Sequence, residues 1–161
     1  MPKLSRAAVA LVLLFAAGAA HAGQLDWNMR LTVQHAVVAV ADAAEERNVG
    51  LIDASGPAGI AGETAQVTVL VLYDYARGTG PWQAYMTVAF ADGSVLTTSG
   101  SGLTTADSSG LHSTFDGELA VIDGTGRFAG TTGSGRMQGQ RAEAVGDDVQ
   151  IDYRITLSLD D

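Results

Sequence analysis

From residue 23 onward the chain reads as alternating apolar and polar positions. Val149, Ile151, Tyr153, Ile155, Leu157 and Leu159 are apolar, with Gln150, Asp152, Arg154, Thr156 and Ser158 between them. A period of two over this length predicts a strand with one face buried and one in water. Leu25, Trp27, Met29, Leu31 and Val33 repeat the pattern, and the run passes into residues 36–41, which are apolar on both faces. Further strands are predicted at residues 48–54, 63–75, 82–90, 95–105, 111–121 and 128–140. Turn chemistry separates them: a polar connection at 42–47 with room for one helical turn, then Gly56-Pro57-Ala58-Gly59. Residues 76–80, Asp92-Gly93, 107–110, 123–126 and Gly146-Asp147-Asp148 supply the others. Within 63–75, Val67, Val69 and Val71 face one way and Leu70 and Leu72 the other. Both faces are therefore expected to be covered, the outer one by a neighbouring subunit.

Eight strands joined mostly by hairpins predict an all-β fold, an eight-stranded antiparallel up-and-down β-barrel of calycin-like type, whose closure removes exposed edges. A sandwich of the same strands is the competing arrangement. A membrane barrel needs aromatic girdles, and only nine aromatic residues follow residue 22.

The first 22 residues have a different plan. Lys3 and Arg6 precede an apolar run at 7–20, and Ala20-His21-Ala22 forms an A-x-A cleavage site. This is the pattern of a secretory signal peptide. The run is shorter than the ~20 apolar residues of a membrane span. The expected organisation is a signal peptide at 1–22 and one barrel domain at 23–161. The expected location is secreted or periplasmic. No cysteine follows the cleavage site, which argues against a lipid anchor.

With Lys3 and Arg6 gone, seven arginines face 18 acidic residues, a formal charge of −11. Such a surface repels phosphate backbones and anionic lipid, so neither nucleic acid nor membrane insertion is expected. The chain has no cysteine, which excludes thiol catalysis and cysteine-ligated zinc. His35 and His112 lie far apart without ligand spacing, so no metal and no cofactor are expected.

The most distinctive stretch is residues 121–135, Val-Ile-Asp-Gly-Thr-Gly-Arg-Phe-Ala-Gly-Thr-Thr-Gly-Ser-Gly. Gly124-x-Gly126-x-x-Ala129 looks like a dinucleotide fingerprint, but that works only ahead of a helix, and the following glycines forbid one. As β structure, 123–126 is a tight turn and Phe128 an apolar plug at the barrel end. Gly124, Thr125, Gly126 and Phe128 resemble the Gly-Gly-Thr-Gly-x-Phe turn of the allene oxide cyclase-like and dirigent-like barrel superfamily, with Asp123 in place of the first Gly. The resemblance implies a barrel, often trimeric, with an apolar cavity that steers a reactive intermediate by holding it in one shape. The family's catalytic acidic, Asn, Cys and Tyr positions have no counterpart motif here.

Five residues are candidates for ligand contact. His35 lies on the apolar parity of the first strand, as a ligand contact or a hydrogen-bonded core histidine. Asp53 shares a parity with Val49 and Leu51, as a buried acid or a turn residue. Tyr73 and Tyr75 share one parity, and Trp82 and Tyr85 follow on the next strand, as a cluster suited to an apolar ligand or as core and rim packing. The leading expectation is a barrel that binds a small, largely apolar molecule, with cyclisation or isomerisation without a covalent intermediate as an added activity. The alternative is a non-enzymatic interaction module that forms dimers or trimers through an apolar exterior.

Overall fold

The computed structural model describes residues 23–160; the signal-peptide expectation for 1–22 lies outside the described residues. Eight strands follow in order: β1 Gly23–Asp42, β2 Arg47–Ile60, β3 Glu63–Ala76, β4 Gly80–Phe90, β5 Val95–Ala106, β6 Ser113–Thr125, β7 Thr132–Arg141 and β8 Gln150–Asp160. Each pairs antiparallel with its sequence neighbour, and β8 pairs with β1 to close the barrel. The fold is therefore an eight-stranded up-and-down barrel. One 3-10 turn, Gly126–Phe128, is the only helical element among the described residues.

The alternation sorts side chains as expected over most of the barrel. Leu31, Val33, Val67, Val69, Met86, Val88, Ile155 and Leu157 point inward and are at most 1 % exposed. Burying such side chains stabilises the fold by roughly 1.5–3 kcal/mol each. One end of the barrel is plugged by Phe128 against Phe90, with ring centroids 5.3 Å apart. Arg127 lies 4.3 Å from the Phe90 ring centroid and donates 3.1 Å hydrogen bonds to Glu63 and Asp92.

Three local expectations are corrected. Gly56-Pro57-Ala58-Gly59 is not a turn but the end of β2, where Ala58 and Ile60 are buried, and the reversal is made by Ala61 and Gly62 at φ +51° and +85°. Pro57 is tolerated because β1 pairs with β2 only over residues 47–55, so no second neighbour needs its missing N–H. Residues 43–46 form a tight turn without a helix, as Asp42 accepts hydrogen bonds from the Ala44 and Glu45 amides. The turn placed at 123–126 starts later: β6 runs to Thr125, and Gly126 at φ +61° begins the reversal. The outer face of β3, where a neighbouring subunit was expected, is open within the chain itself. Leu70 is half-buried and Leu72 is 45 % exposed.

β1 is shared unevenly between its neighbours. Residues 23–32 pair with β8, whereas residues 32–42 pair with β2. Past the contact of Ala36 with Asp147, the β1 edge facing away from β2 has no strand partner among the described residues.

Candidate functional site

At the end of the barrel opposite Phe128, the inner face carries aromatic and polar side chains instead of aliphatic ones. β3 supplies Tyr73 and Tyr75, which stack with centroids 4.5 Å apart. β4 supplies Trp82, and its ring lies over Gly102 and Gly117, where an added Cβ would meet it at 2.5 Å. β6 and β8 supply Phe115 and Tyr153, 5.2 Å apart. β5 supplies Thr104, whose hydroxyl lies 2.9 Å from that of Tyr75.

β7 adds a buried cation. Arg141 is 6 % exposed, and its guanidinium sits 5.7 Å from the Tyr75 ring centroid. Its Nε donates to the Glu143 carbonyl at 3.1 Å and its Nη2 to the Ser113 hydroxyl at 3.3 Å. Two buried donors here have no acceptor among the described residues, Trp82 Nε1 and the Tyr73 hydroxyl. Burial pushes the Tyr153 phenol above the usual tyrosine range. Burial raises Tyr75 too, against the opposing pull of its Thr104 hydrogen bond and of Arg141. Tyr73 is raised by burial and by Tyr75. The phenols are therefore neutral proton donors at ordinary pH.

These side chains fill this end of the barrel almost completely. They leave a cavity of about 20 Å³ lined by Tyr75, Trp82, Thr104, Phe115, Arg141 and Tyr153 with aliphatic neighbours. That is room for about one water molecule, well below the ~300 Å³ at which ligand pockets begin.

The sequence candidates divide between inside and outside. Tyr73 and Tyr75 belong to the inner cluster. His35 does not: Gln34 is an extra residue between the pairs Val33↔Ala54 and His35↔Asp53, and this bulge turns His35 outward. Its side chain is 65 % exposed, 4.0 Å from Asp147. Asp53 is half-buried on the outer face, mid-strand, since Ile52 and Ala54 take the inner positions. Tyr85 is 48 % exposed on the outer face of β4, opposite in parity to Trp82. Arg141, Thr104 and Tyr153 are the inner residues that sequence reasoning left out. Inward parity with Met137 is the signal for Arg141, but the Gly-rich β7 has too few apolar residues to display it.

The outside of the barrel is divided by chemistry. On β6, β7, β8 and β1 it carries ion pairs: Arg136–Asp116, Arg30–Asp152 at 2.6 Å and Arg154–Asp26 at 3.3 Å. On β1 to β3 it also has an apolar stretch, where Val37 pairs with Leu51 and Leu51 with Leu72, next to the Arg47–Asp74 ion pair. Residues 37–42 are exposed on both faces, with Val37, Val38 and Val40 at 48 %, 50 % and 68 %. Among the described residues no helix is long and apolar enough to cross a membrane. No protein-family model matches the chain, and no curated protein resembles it significantly.

Proposed function

We propose that this protein is a non-enzymatic interaction module that assembles with a second copy of itself through the free edge of β1. One observation carries the reading: three exposed valines, Val37, Val38 and Val40, lie together on a stretch of β1 whose edge away from β2 has no strand partner among the described residues, while the inner cluster at that end leaves only about 20 Å³ free. An unprotected apolar edge is a template for pairing with another chain. The second copy is the occupant favoured here. Antiparallel pairing of identical strands about a two-fold axis is self-complementary. Residues 36–41 carry no charge, so the pairing segments themselves bring no like charges together between two acidic chains. Membership of the allene oxide cyclase-like and dirigent-like superfamily, and export of the mature chain, are parts of the same proposal.

Light scattering coupled to size exclusion tests it. A dimer is expected at micromolar concentration, and Val38→Glu is expected to give a folded monomer, because the added charge falls on a position already half open to solvent. A wild-type monomer, or an oligomer indifferent to Val38→Glu, overturns the edge assignment.

A second reading, a small apolar ligand held by the Tyr73 and Tyr75 end, is supported by the Tyr73 hydroxyl, buried without a partner. It requires that end of the barrel to open. Native mass spectrometry of protein purified from its host separates the two. A stoichiometric adduct lost on denaturation favours the ligand, and a bare dimer favours the module.

A further inference from the structure

We propose that the cavity beside Arg141 is a binding site for one monatomic anion, a halide, held by the guanidinium and the neutral donors around it. The inference concerns the barrel interior and does not depend on assembly through β1.

Charge is the first reason. Arg141 is a buried cation whose two hydrogen bonds go to neutral acceptors, the Glu143 carbonyl and the Ser113 hydroxyl. The ion pairs among the described residues all involve other groups, so no carboxylate lies within 4.0 Å of it. An uncompensated buried charge is costly, and a bound counter-ion removes that cost. The neighbouring phenols do not supply the charge, because burial keeps Tyr75 and Tyr153 protonated.

Donor balance is the second reason. Trp82 lines the cavity, and its Nε1, which can only donate, is buried without an acceptor. The guanidinium can also only donate. Water filling the cavity would donate as well as accept, and it would leave the charge in place. A halide only accepts.

Size is the third reason. A volume of about 20 Å³ admits one water-sized particle. It is too small for sulfate, phosphate or a carboxylate ligand, whose several heavy atoms each need comparable space.

The test compares thermal unfolding of the purified protein in sodium chloride, sodium bromide and sodium gluconate at one fixed ionic strength, together with anomalous diffraction from crystals grown in bromide. The expected result is a melting temperature that rises saturably as chloride or bromide replaces gluconate, as ligand binding to the native state requires. A bromide peak in the cavity between Arg141 and Trp82 is expected with it. Trp82→Phe keeps the ring and removes one donor, and it should raise the half-saturating halide concentration about tenfold. Arg141→Gln should abolish the halide response, and Val38→Glu should leave it unchanged. Identical melting in all three salts, or a cavity that holds only water in the bromide crystals, overturns the proposal whether or not Arg141→Gln folds.

Discussion

Trp82 has its place because two facing residues have no side chain. Gly102 and Gly117 lie beneath its ring, and a Cβ at either would sit 2.5 Å from a ring carbon. A Cβ at Gly117 would also clash with the Ser101 carbonyl oxygen, so relief requires the paired backbone to shift as well as the indole. Gly117→Ala is therefore expected to destabilise the barrel by about 1–3 kcal/mol through overpacking. Gly59→Ala is the matched control. A Cβ there meets nothing within 4 Å, and its stability should change by less than ~0.5 kcal/mol. Urea unfolding midpoints of the two variants decide the matter. At the other end, Phe128 fills space against Phe90 beneath the Arg127 guanidinium. Phe128→Ala should cost about 3 kcal/mol or more, and Phe128→Leu much less, because most of the volume is retained. Equal losses from the two substitutions would assign Phe128 to turn geometry instead of packing.

At the scale of the strand, β1 explains both what was legible in the sequence and what was hidden. Its period of two from Leu25 to Val33 gave the inner face correctly, as did the same pattern in β3, β4 and β8. Gln34 then adds one residue against β2, and every position after it changes face. Extrapolated parity puts His35 inside, but the bulge puts it outside. Nothing in Val33-Gln34-His35 announces a bulge, because no glycine or proline marks it. Further bulges, at Ala41 between the pairs Val40↔Asn48 and Asp42↔Arg47 and at Ile122 opposite Thr97 and Thr98, displace the ends of β1 and β6 in the same way. Gly56-Pro57 misled for the opposite reason. These residues signal a turn in isolation, but they sit on a stretch of β2 with a single neighbour, where a ladder tolerates them. The inner cluster was half legible: Tyr73 and Tyr75 follow from strict alternation, whereas Arg141 sits where β7 has glycines in place of apolar markers. The free edge of β1 also yields a prediction. In the wild-type dimer the amides of residues 37–41 should resist hydrogen exchange. In Val38→Glu they should exchange rapidly on the side facing away from β2. Equal protection in both would mean that something other than a second copy covers this edge.

For the molecule as a whole, the balance of charge sets how stability depends on pH. Asp116 is held below the usual carboxylate range by its hydrogen bond to Arg136, Asp152 by that to Arg30 and Asp74 by that to Arg47. Asp92 and Asp107 are lowered by hydrogen bonds from Ser94 and Ser109. A depressed folded-state pKa contributes stability that is present above the unfolded value and lost as pH falls through the folded one. These five groups therefore oppose unfolding at neutral pH and cease to do so below about pH 4. Each is exposed, so each contributes little, and the loss is noticeable only because five act together. The buried phenols have the reverse sign. Tyr73, Tyr75 and Tyr153 are raised, so their contribution is intact below the unfolded tyrosine value and lost as pH rises beyond about 10. Between these limits the formal charge of −9 dominates, and its self-repulsion weakens as the solution is acidified from pH 7. The melting temperature should therefore peak on the acidic side of neutrality, at about pH 5, and fall steeply below about pH 4. Gluconate, which carries no halide, should raise it at pH 7 by screening and have little effect at pH 5. A profile that rises from pH 5 to pH 8 in low salt would show that paired carboxylates outweigh repulsion across the surface. The ion pairs on the outside of β6, β7, β8 and β1 would then stabilise the barrel more than exposed pairs ordinarily do.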